Sequence, residues 1–251
     1  MGEYSPCQPP KNLIYYSQKK LSYTLAPFKK EVAMKKICKL FRFKVVGLLW
    51  TPVLIIFLIL PFVDAQNIIE EWQTVKIPPA PEIKPIKVDA KSTALLILDF
   101  NKQICNAERR PRCIASIPKV QRLLTEARAK GVFVVYSFSA GATPADIAKE
   151  LAPQGGEPIV TSGPDKFFGT DLEKILKEKN VKTVIVTGTA AHGAVLYTAS
   201  GAALRGMQVI VPVDGMSAES LYPEQYTAWN LANAPRISTQ VTLSRTDIIS
   251  F

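Results

Sequence analysis

The chain has few of the residues that build metal centres or disulfide scaffolds. Its 251 residues include one histidine and four cysteines, and no two cysteines form a CxxC pair. A zinc or multi-histidine site needs several such ligands at short spacing, so the sequence predicts no metal and no cofactor. Four cysteines are also too few to replace a hydrophobic core with a disulfide framework. A domain of ordinary size must therefore fold around apolar side chains.

The folded part also lacks a large excess of positive charge. The formal net charge is +10, but residues 1–65 hold 10 Lys and Arg against 3 Asp and Glu. Residues 66–251 carry 21 basic and 18 acidic side chains. A domain that binds nucleic acid concentrates positive charge on its folded surface. We therefore expect no nucleic-acid partner.

Residues 1–65 are predicted to be a leader. Residues 45–63 form a run of 19 uncharged residues, preceded by five Lys and Arg and followed by small residues before Gln66. This order is typical of an export signal, and Met34 is an alternative start that opens the pattern directly. The apolar run also approaches the ~20 residues that span a bilayer, so an uncleaved single-pass anchor is the alternative. Both interpretations place the folded part outside the cytosol, either secreted or periplasmic, with membrane contact only through this segment.

The rest of the chain divides into an arm and a domain. Residues 66–92 are rich in proline and predict an extended arm. Residues 93–251 alternate apolar runs with amphipathic segments. The predicted strands are 93–98, 132–137, 158–160, 183–186, 208–213 and 240–244, and the predicted helices are 117–131, 145–151, 170–179, 192 onward and 217–234. This alternation predicts a Rossmann-related α/β/α domain of three layers with a mainly parallel sheet of about six strands.

Residues 182–199 are predicted to form one wall of a functional site. An uninterrupted apolar strand is followed by small residues at 187–191, and helical spacing begins at His192. Ligands of parallel sheets bind at the carboxyl ends of the strands, where a new helix offers unpaired N–H groups. His192 is accordingly a candidate to hydrogen-bond a ligand, and a structural role at the helix start is the alternative.

Two charged residues could carry chemistry at the same edge. Asp99 ends the first strand beside Phe100, where a partly desolvated carboxyl can serve as a general acid or base. Its alternative role is to cap the following loop. Lys166 lies among aromatic residues and could pair with Asp99 or bind an anionic group, or it could be a solvated lysine beside Asp165. Asp214 follows another strand, and a helix-cap or turn role is expected for it.

Cys105 and Cys113 are predicted to form a disulfide. They flank the basic loop 106–112, and they are the two cysteines that remain when the leader is removed. In an exported protein such a pair indicates one disulfide bond. The alternative is Cys105 as a reduced nucleophile near Asp99.

The disulfide can be tested on the protein that lacks the leader. After denaturation without reductant, we expect a thiol-reactive label to modify neither Cys105 nor Cys113, because both sulfur atoms are engaged. The mass of the labelled protein measures this directly. Addition of two labels would refute the pairing.

Three ordered motifs resemble the isochorismatase-like (cysteine hydrolase) family. They are LLILDF at 95–100, FFGTDL at 167–172, and VTG at 186–188 with Thr-Ala at 198–199. The resemblance spans residues 93–247. It implies a three-layer α/β/α domain, often a homo-oligomer, that binds a small molecule at the carboxyl ends of its strands. Many members are amidases with an Asp–Lys–Cys triad in which a thiolate attacks an amide.

The resemblance transfers only part of that triad. The aspartate matches Asp99, but the nucleophile position falls on Ala194, which has no reactive atom. The lysine position falls on Thr161, with Lys166 as a nearby substitute. The single His192 cannot supply the Asp/His metal site of nicotinamidases.

A second chemistry of the family needs no cysteine. True isochorismatases hydrolyse a vinyl ether, with the aspartate as proton donor. The resemblance therefore implies a hydrolase acting through Asp99, and the alternative is an inactive member that binds a small ligand. Phe167, Ala190 and His192 are the implied substrate-binding residues.

Overall fold

The computed structural model of the protein describes residues 67–251. The predicted leader, with its export signal or anchor, lies outside the described residues. The chain divides into two compact units, and the second, Thr74–Phe251, contains the sheet and its helices. Within residues 67–251, no helix combines the length and the apolar character that crossing a membrane requires.

A parallel sheet forms the centre of this unit. In chain order the strands are β1 (Ile86–Lys87), β2 (Thr93–Leu98), β3 (Phe133–Phe138), β4 (Ile159–Thr161), β5 (Thr183–Thr189), β6 (Gln208–Pro212), β7 (Met216–Ser217), β8 (Val241–Ser244) and β9 (Ile249–Ser250). The main sheet has the order β4-β3-β2-β5-β6-β8, and the short β7 pairs with the end of β5 as a seventh strand. Strands β1 and β9 form a separate parallel pair. The prediction of a mainly parallel sheet is confirmed.

Four α-helices cover the sheet. They are α1 (Pro111–Ala129), α2 (Leu172–Glu178), α3 (Leu196–Leu204) and α4 (Leu221–Asn233). Helix α1 buries a stripe that includes Val120, Leu123, Leu124 and Ala127 at the spacing expected of one helical face. Gly131 follows it with φ +74°, a conformation that favours glycine after a helix end.

The core lies on both faces of the sheet. Along β2 every residue is buried, and alternate side chains enter different apolar clusters. Ala94, Leu96 and Leu98 pack with residues of α2 and α3, whereas Leu95 and Ile97 pack with residues of α1. Since successive side chains of a strand point to opposite faces, helices cover both sides and the domain has three layers.

The strand order places a crevice between β2 and β5. From β2 the chain builds outward through β3 and β4, and from β5 it builds the other way through β6 and β8. Such a reversal of direction leaves a crevice at the carboxyl ends of the two central strands. Asp99 follows β2 directly, and the turn at 190–195 follows β5. The topology thus brings the two main sequence candidates to one place.

Several element bounds differ from the predictions. Helix α1 begins at Pro111, six residues before the predicted start at residue 117, because proline fits the first turn of a helix, where its missing N–H has no partner to lose. The predicted helix at 145–151 consists of two single 3₁₀ turns, Pro144–Asp146 and Lys149–Leu151. The turn Ala191–Val195 is a π-helical turn that precedes α3.

Candidate functional site

Asp99 lies almost fully buried at the carboxyl end of β2. Its residue is 6% exposed, and the neighbouring Phe100 is completely buried. Its backbone has φ +57°, and its N–H donates to the Ser137 carbonyl on β3. The Ser137 hydroxyl donates to Oδ1 at 2.8 Å, and Lys166 Nζ donates to Oδ2 at 2.7 Å. Both carboxyl oxygens therefore have a donor inside the protein.

Lys166 is the partner of Asp99 and is fully buried. Its Nζ also donates to the Gly163 carbonyl at 2.9 Å, and its backbone N–H donates to Thr198 Oγ1 on α3 at 3.2 Å. The alternative of a solvated lysine is wrong. The side chain starts five positions after Thr161, the lysine position implied by the resemblance, and its amine still reaches the carboxylate.

The turn after β5 lies at the same edge of the sheet as Asp99, because Leu98 and Gly188 are paired in the register of β2 and β5. The Thr189–Ala190 peptide bond is cis, and the Ala190 carbonyl accepts from the N–H groups of Gly193 and Val195. Ala194 is 4% exposed and presents only a methyl group. The structure therefore offers no reactive side-chain atom at the position that the resemblance assigns to a nucleophile.

His192 points from this turn towards Glu219. Its Nε2 lies 3.8 Å from Glu219 Oε1, which is too far for a hydrogen bond, and its Nδ1 is buried without a partner. Because Nδ1 has no hydrogen-bond partner, it does not cap the start of the helix.

Arg110 was not among the residues predicted from the sequence, and it faces the same turn. Arg110 precedes α1, its side chain is 13% exposed, and its Nη1 lies 3.5 Å from Thr189 Oγ1. Burial lowers the pKa of the guanidinium, as does the charge of Arg109, whereas the carboxylates of Glu219 and Asp99 raise it. The Asp99 carboxylate thus acts electrostatically on Arg110.

Cys105 and Cys113 hold the loop that carries Arg110. Their sulfur atoms are bonded, with the two Cα atoms 5.4 Å apart. The bond encloses residues 106–112, so it restricts the backbone on both sides of Arg110. A bonded Cys105 has no thiol to act as a nucleophile.

Phe167 and Asp214 contact other parts of the domain. Phe167 is buried in the apolar core, and the Arg205 guanidinium lies 4.4 Å from its ring centroid. These are packing contacts, and a substrate-binding role for Phe167 stays a prediction. Asp214 accepts from the backbone N–H of Thr246 at 2.8 Å and from its hydroxyl at 3.0 Å, which fixes the turn before β9.

The residues present do not fit the metal site of nicotinamidases. Among residues 67–251, no group of three or more His, Cys, Asp or Glu side chains is arranged to hold an ion. Asp99 is instead committed to Ser137 and Lys166.

Known proteins share both the sequence pattern and the fold. The Isochorismatase domain matches residues 93–243. A secreted isochorismatase effector, Isc1 of Verticillium dahliae, is 30% identical over 146 residues, covering 53% of this chain and 77% of the effector. N-carbamoylsarcosine amidase of an Arthrobacter species is 34% identical over 124 residues, which cover 38% of this chain and only 47% of the amidase.

Solved structures support the architecture. An isochorismatase-like hydrolase from Alkaliphilus metalliredigens superposes with a TM-score of 0.57 at 24% identity, covering 62% of this chain and 87% of that one. N-carbamoylsarcosine amidase from Thermoplasma acidophilum gives a TM-score of 0.53 at 22% identity, covering 62% of this chain and 97% of that one. At this identity the similarity establishes the fold alone. With the matched domain covering more than half of the sequence, the chain belongs to the isochorismatase family.

Proposed function

We propose that this protein is an exported hydrolase of small molecules that uses Asp99 as its proton-transfer group and forms no covalent intermediate. The observation that carries the proposal is the buried contact of 2.7 Å between Lys166 Nζ and Asp99 Oδ2. A carboxyl and an amine in direct contact, shielded from water, can exchange a proton without bulk solvent. Ala194 leaves no nucleophile for an acyl-enzyme, so the chemistry must be direct addition of water.

Hydrolysis of a vinyl ether suits this pair. The proton passes from Lys166 to Asp99 Oδ2 and then to the terminal carbon of the substrate double bond, whose π electrons form the new C–H bond. The resulting oxocarbenium ion adds water, and the proton that this water gives up returns through Asp99 to the Lys166 amine. The hemiketal then transfers its hydroxyl proton to the leaving oxygen as the C–O bond breaks, which yields a ketone and an alcohol. After the transfer, the Asp99 carboxylate keeps its hydrogen bond from Ser137, and the neutral Lys166 amine regains a proton for the next cycle.

Two observations favour export. The Cys105–Cys113 bond is the kind of link that persists in oxidising compartments and is rare in the cytosol. The relative from Verticillium dahliae is described as a secreted effector. The uncharged run at 45–63 is the segment that would direct export.

Turnover of a vinyl ether and of an amide by wild type and Asp99→Asn tests the proposal. We expect wild type to hydrolyse the vinyl ether, and we expect kcat of Asp99→Asn to fall about 10²–10⁴-fold, the usual contribution of a general acid. Asp214→Asn is the matched control, since Asp214 also follows a strand but bonds Thr246. Its kcat should equal that of wild type. Equal turnover by wild type and Asp99→Asn would contradict the assigned role.

Ala194→Cys tests whether the residues around position 194 still support hydrolysis of an amide by a thiol. The position is buried at the turn after β5, where a thiol would replace the methyl group. A gain of amidase activity would show that the crevice still orients an amide for attack. Should wild type and Asp99→Asn be equally inert while a ligand still raises the melting temperature, the protein is a ligand-binding member without catalysis.

A further inference from the structure

The described residues contain three buried side-chain polar atoms without a hydrogen-bond partner. They are Arg110 Nε, His192 Nδ1 and Ser217 Oγ. Folding normally pairs such atoms, because a buried donor that has lost water and gained nothing costs free energy. An unpaired atom in a folded protein therefore calls for an explanation, and one explanation is a ligand that supplies the missing partner.

The three atoms belong to residues around a single position, Thr189. Arg110 Nη1 lies 3.5 Å from Thr189 Oγ1. Ser217 stands opposite Thr189 in the pairing of β7 with β5, and its carbonyl accepts from Thr189 Oγ1 at 3.0 Å. His192 lies in the turn that follows Thr189. The three residues that carry these atoms thus lie on three separate segments around the carboxyl end of β5, at the same edge of the sheet as Asp99.

Ser217 is the most deeply buried of the three residues. Its residue is 1% exposed, so its hydroxyl cannot be satisfied by bulk water. The Arg110 side chain is 13% exposed, and its Nε is buried. The site therefore combines a buried guanidinium Nε–H with a buried hydroxyl, and both are hydrogen-bond donors.

Within residues 67–251, Glu219 is the one carboxylate within 4 Å of Arg110 and His192, and it forms no hydrogen bond with either side chain. Its Oε2 lies 3.9 Å from Arg110 Nε, and its Oε1 lies 3.8 Å from His192 Nε2. Neither distance is a hydrogen bond. The side chain is 47% exposed, so water competes for it. The position of Glu219 shows that Arg110 and His192 attract a negative charge. Glu219 itself forms no hydrogen bond with either side chain.

We propose that Arg110, Ser217 and His192 form a subsite for the carboxylate group of a small ligand. This subsite rests on the proposed function, because it names small carboxylates as the class of substrate that the same crevice binds. A guanidinium beside a hydroxyl donor matches the planar pair of oxygens of a carboxylate. Bound there, the anion would take the place near Arg110 that Glu219 now approaches, while the reacting part of the ligand extends towards Asp99.

Binding of benzoate, with benzamide as its uncharged counterpart, tests the subsite by calorimetry. We expect benzoate to bind wild type at least tenfold more tightly than benzamide. Arg110→Gln should weaken benzoate roughly 10- to 100-fold, the usual effect of a charge-assisted hydrogen bond. Arg109→Gln removes the same charge from the exposed neighbouring residue and is the matched control. Its affinity for benzoate should stay within twofold of wild type.

Glu219→Gln should change the affinity for benzoate in the opposite direction to Arg110→Gln. This difference distinguishes a ligand site from a structural ion pair. If Glu219 competes with the ligand carboxylate, its removal should tighten benzoate binding several-fold and leave benzamide unchanged. Ser217→Ala should weaken the binding of benzoate. It should have little effect on the melting temperature, because the hydroxyl has no hydrogen-bond partner within the protein to lose.

Several results would overturn the subsite. They are equal binding of benzoate and benzamide, no effect of Arg110→Gln beyond that of Arg109→Gln, weaker benzoate binding by Glu219→Gln, or tighter binding of inorganic phosphate than of benzoate. Since the readout is binding, it is independent of turnover. Benzoate binding through Arg110 in a protein without hydrolase activity would support the subsite and refute the proposed catalysis.

Discussion

Replacing Asp99 with asparagine lowers the free energy of unfolding by about 3–5 kcal/mol, the cost of leaving one member of a buried ion pair without its partner. Lys166 is fully buried, and Asp99 is its one carboxylate contact within residues 67–251. An amide in place of the carboxylate leaves the ammonium ion with carbonyl acceptors alone. Asparagine is the suitable replacement because Asp99 has φ +57°, a left-handed conformation that asparagine tolerates.

A double-mutant cycle separates the charge effect from packing. Lys166→Met keeps an unbranched side chain without the charge, and it should cost a similar free energy because it leaves the Asp99 carboxylate buried. The combination of Asp99→Asn with Lys166→Met should cost less than the sum of the two single changes, by about 2–3 kcal/mol. Urea unfolding at neutral pH measures all four proteins. Additive costs would show that the 2.7 Å contact contributes no coupling energy.

The sequence was informative about the fold because its strands are apolar and its helices amphipathic. Strand β2 has the bounds that its apolar run predicts, and the alternation of elements was sufficient for a parallel sheet. The short strands β1, β7 and β9 were not predicted. Each has two residues, and each exists because a distant segment offers backbone partners, which no local pattern encodes.

The site was less accessible to sequence reasoning. Asp99 could be predicted because it ends a buried strand, which a parallel sheet places at a crevice. The orientation of Lys166 depends on the loop after β4, which carries its amine to Asp99 and its backbone to Thr198. Arg110 was visible only as part of a basic loop between cysteines. Its relation to Thr189 joins residues 79 positions apart, and only the tertiary fold reveals it.

Gly188→Ala should destabilise the domain by about 3–5 kcal/mol, and it should also disturb the site. Gly188 has φ +146° and stands beside Leu98 across the β2–β5 pairing. A Cβ at this position would lie 2.5 Å from the Leu98 carbonyl oxygen and 2.6 Å from its Cβ. Neither atom is the end of a flexible side chain, so one of the two central strands must move.

Gly131→Ala is the matched control for this change. Gly131 also has positive φ, at +74°, but an added Cβ would meet nothing within 4 Å. Gly131→Ala should therefore lower the free energy of unfolding by about 1–2 kcal/mol, the cost of placing alanine at positive φ, and leave kcat unchanged. Urea unfolding and the turnover assay, run on both variants, separate backbone conformation from the steric clash. Equal costs for the two substitutions would contradict the close approach of the strands.

The expected loss of activity in Gly188→Ala follows from the position of Leu98. Leu98 immediately precedes Asp99, so a shift of its backbone displaces the carboxylate relative to Lys166 and to the turn after β5. A displacement of about 1 Å in a reacting group can cost about 100-fold in rate. We therefore expect kcat of Gly188→Ala to fall well below wild type even at temperatures where the variant is fully folded. Unchanged kcat in the folded variant would mean that the Asp99 carboxylate is not positioned by the β2–β5 contact.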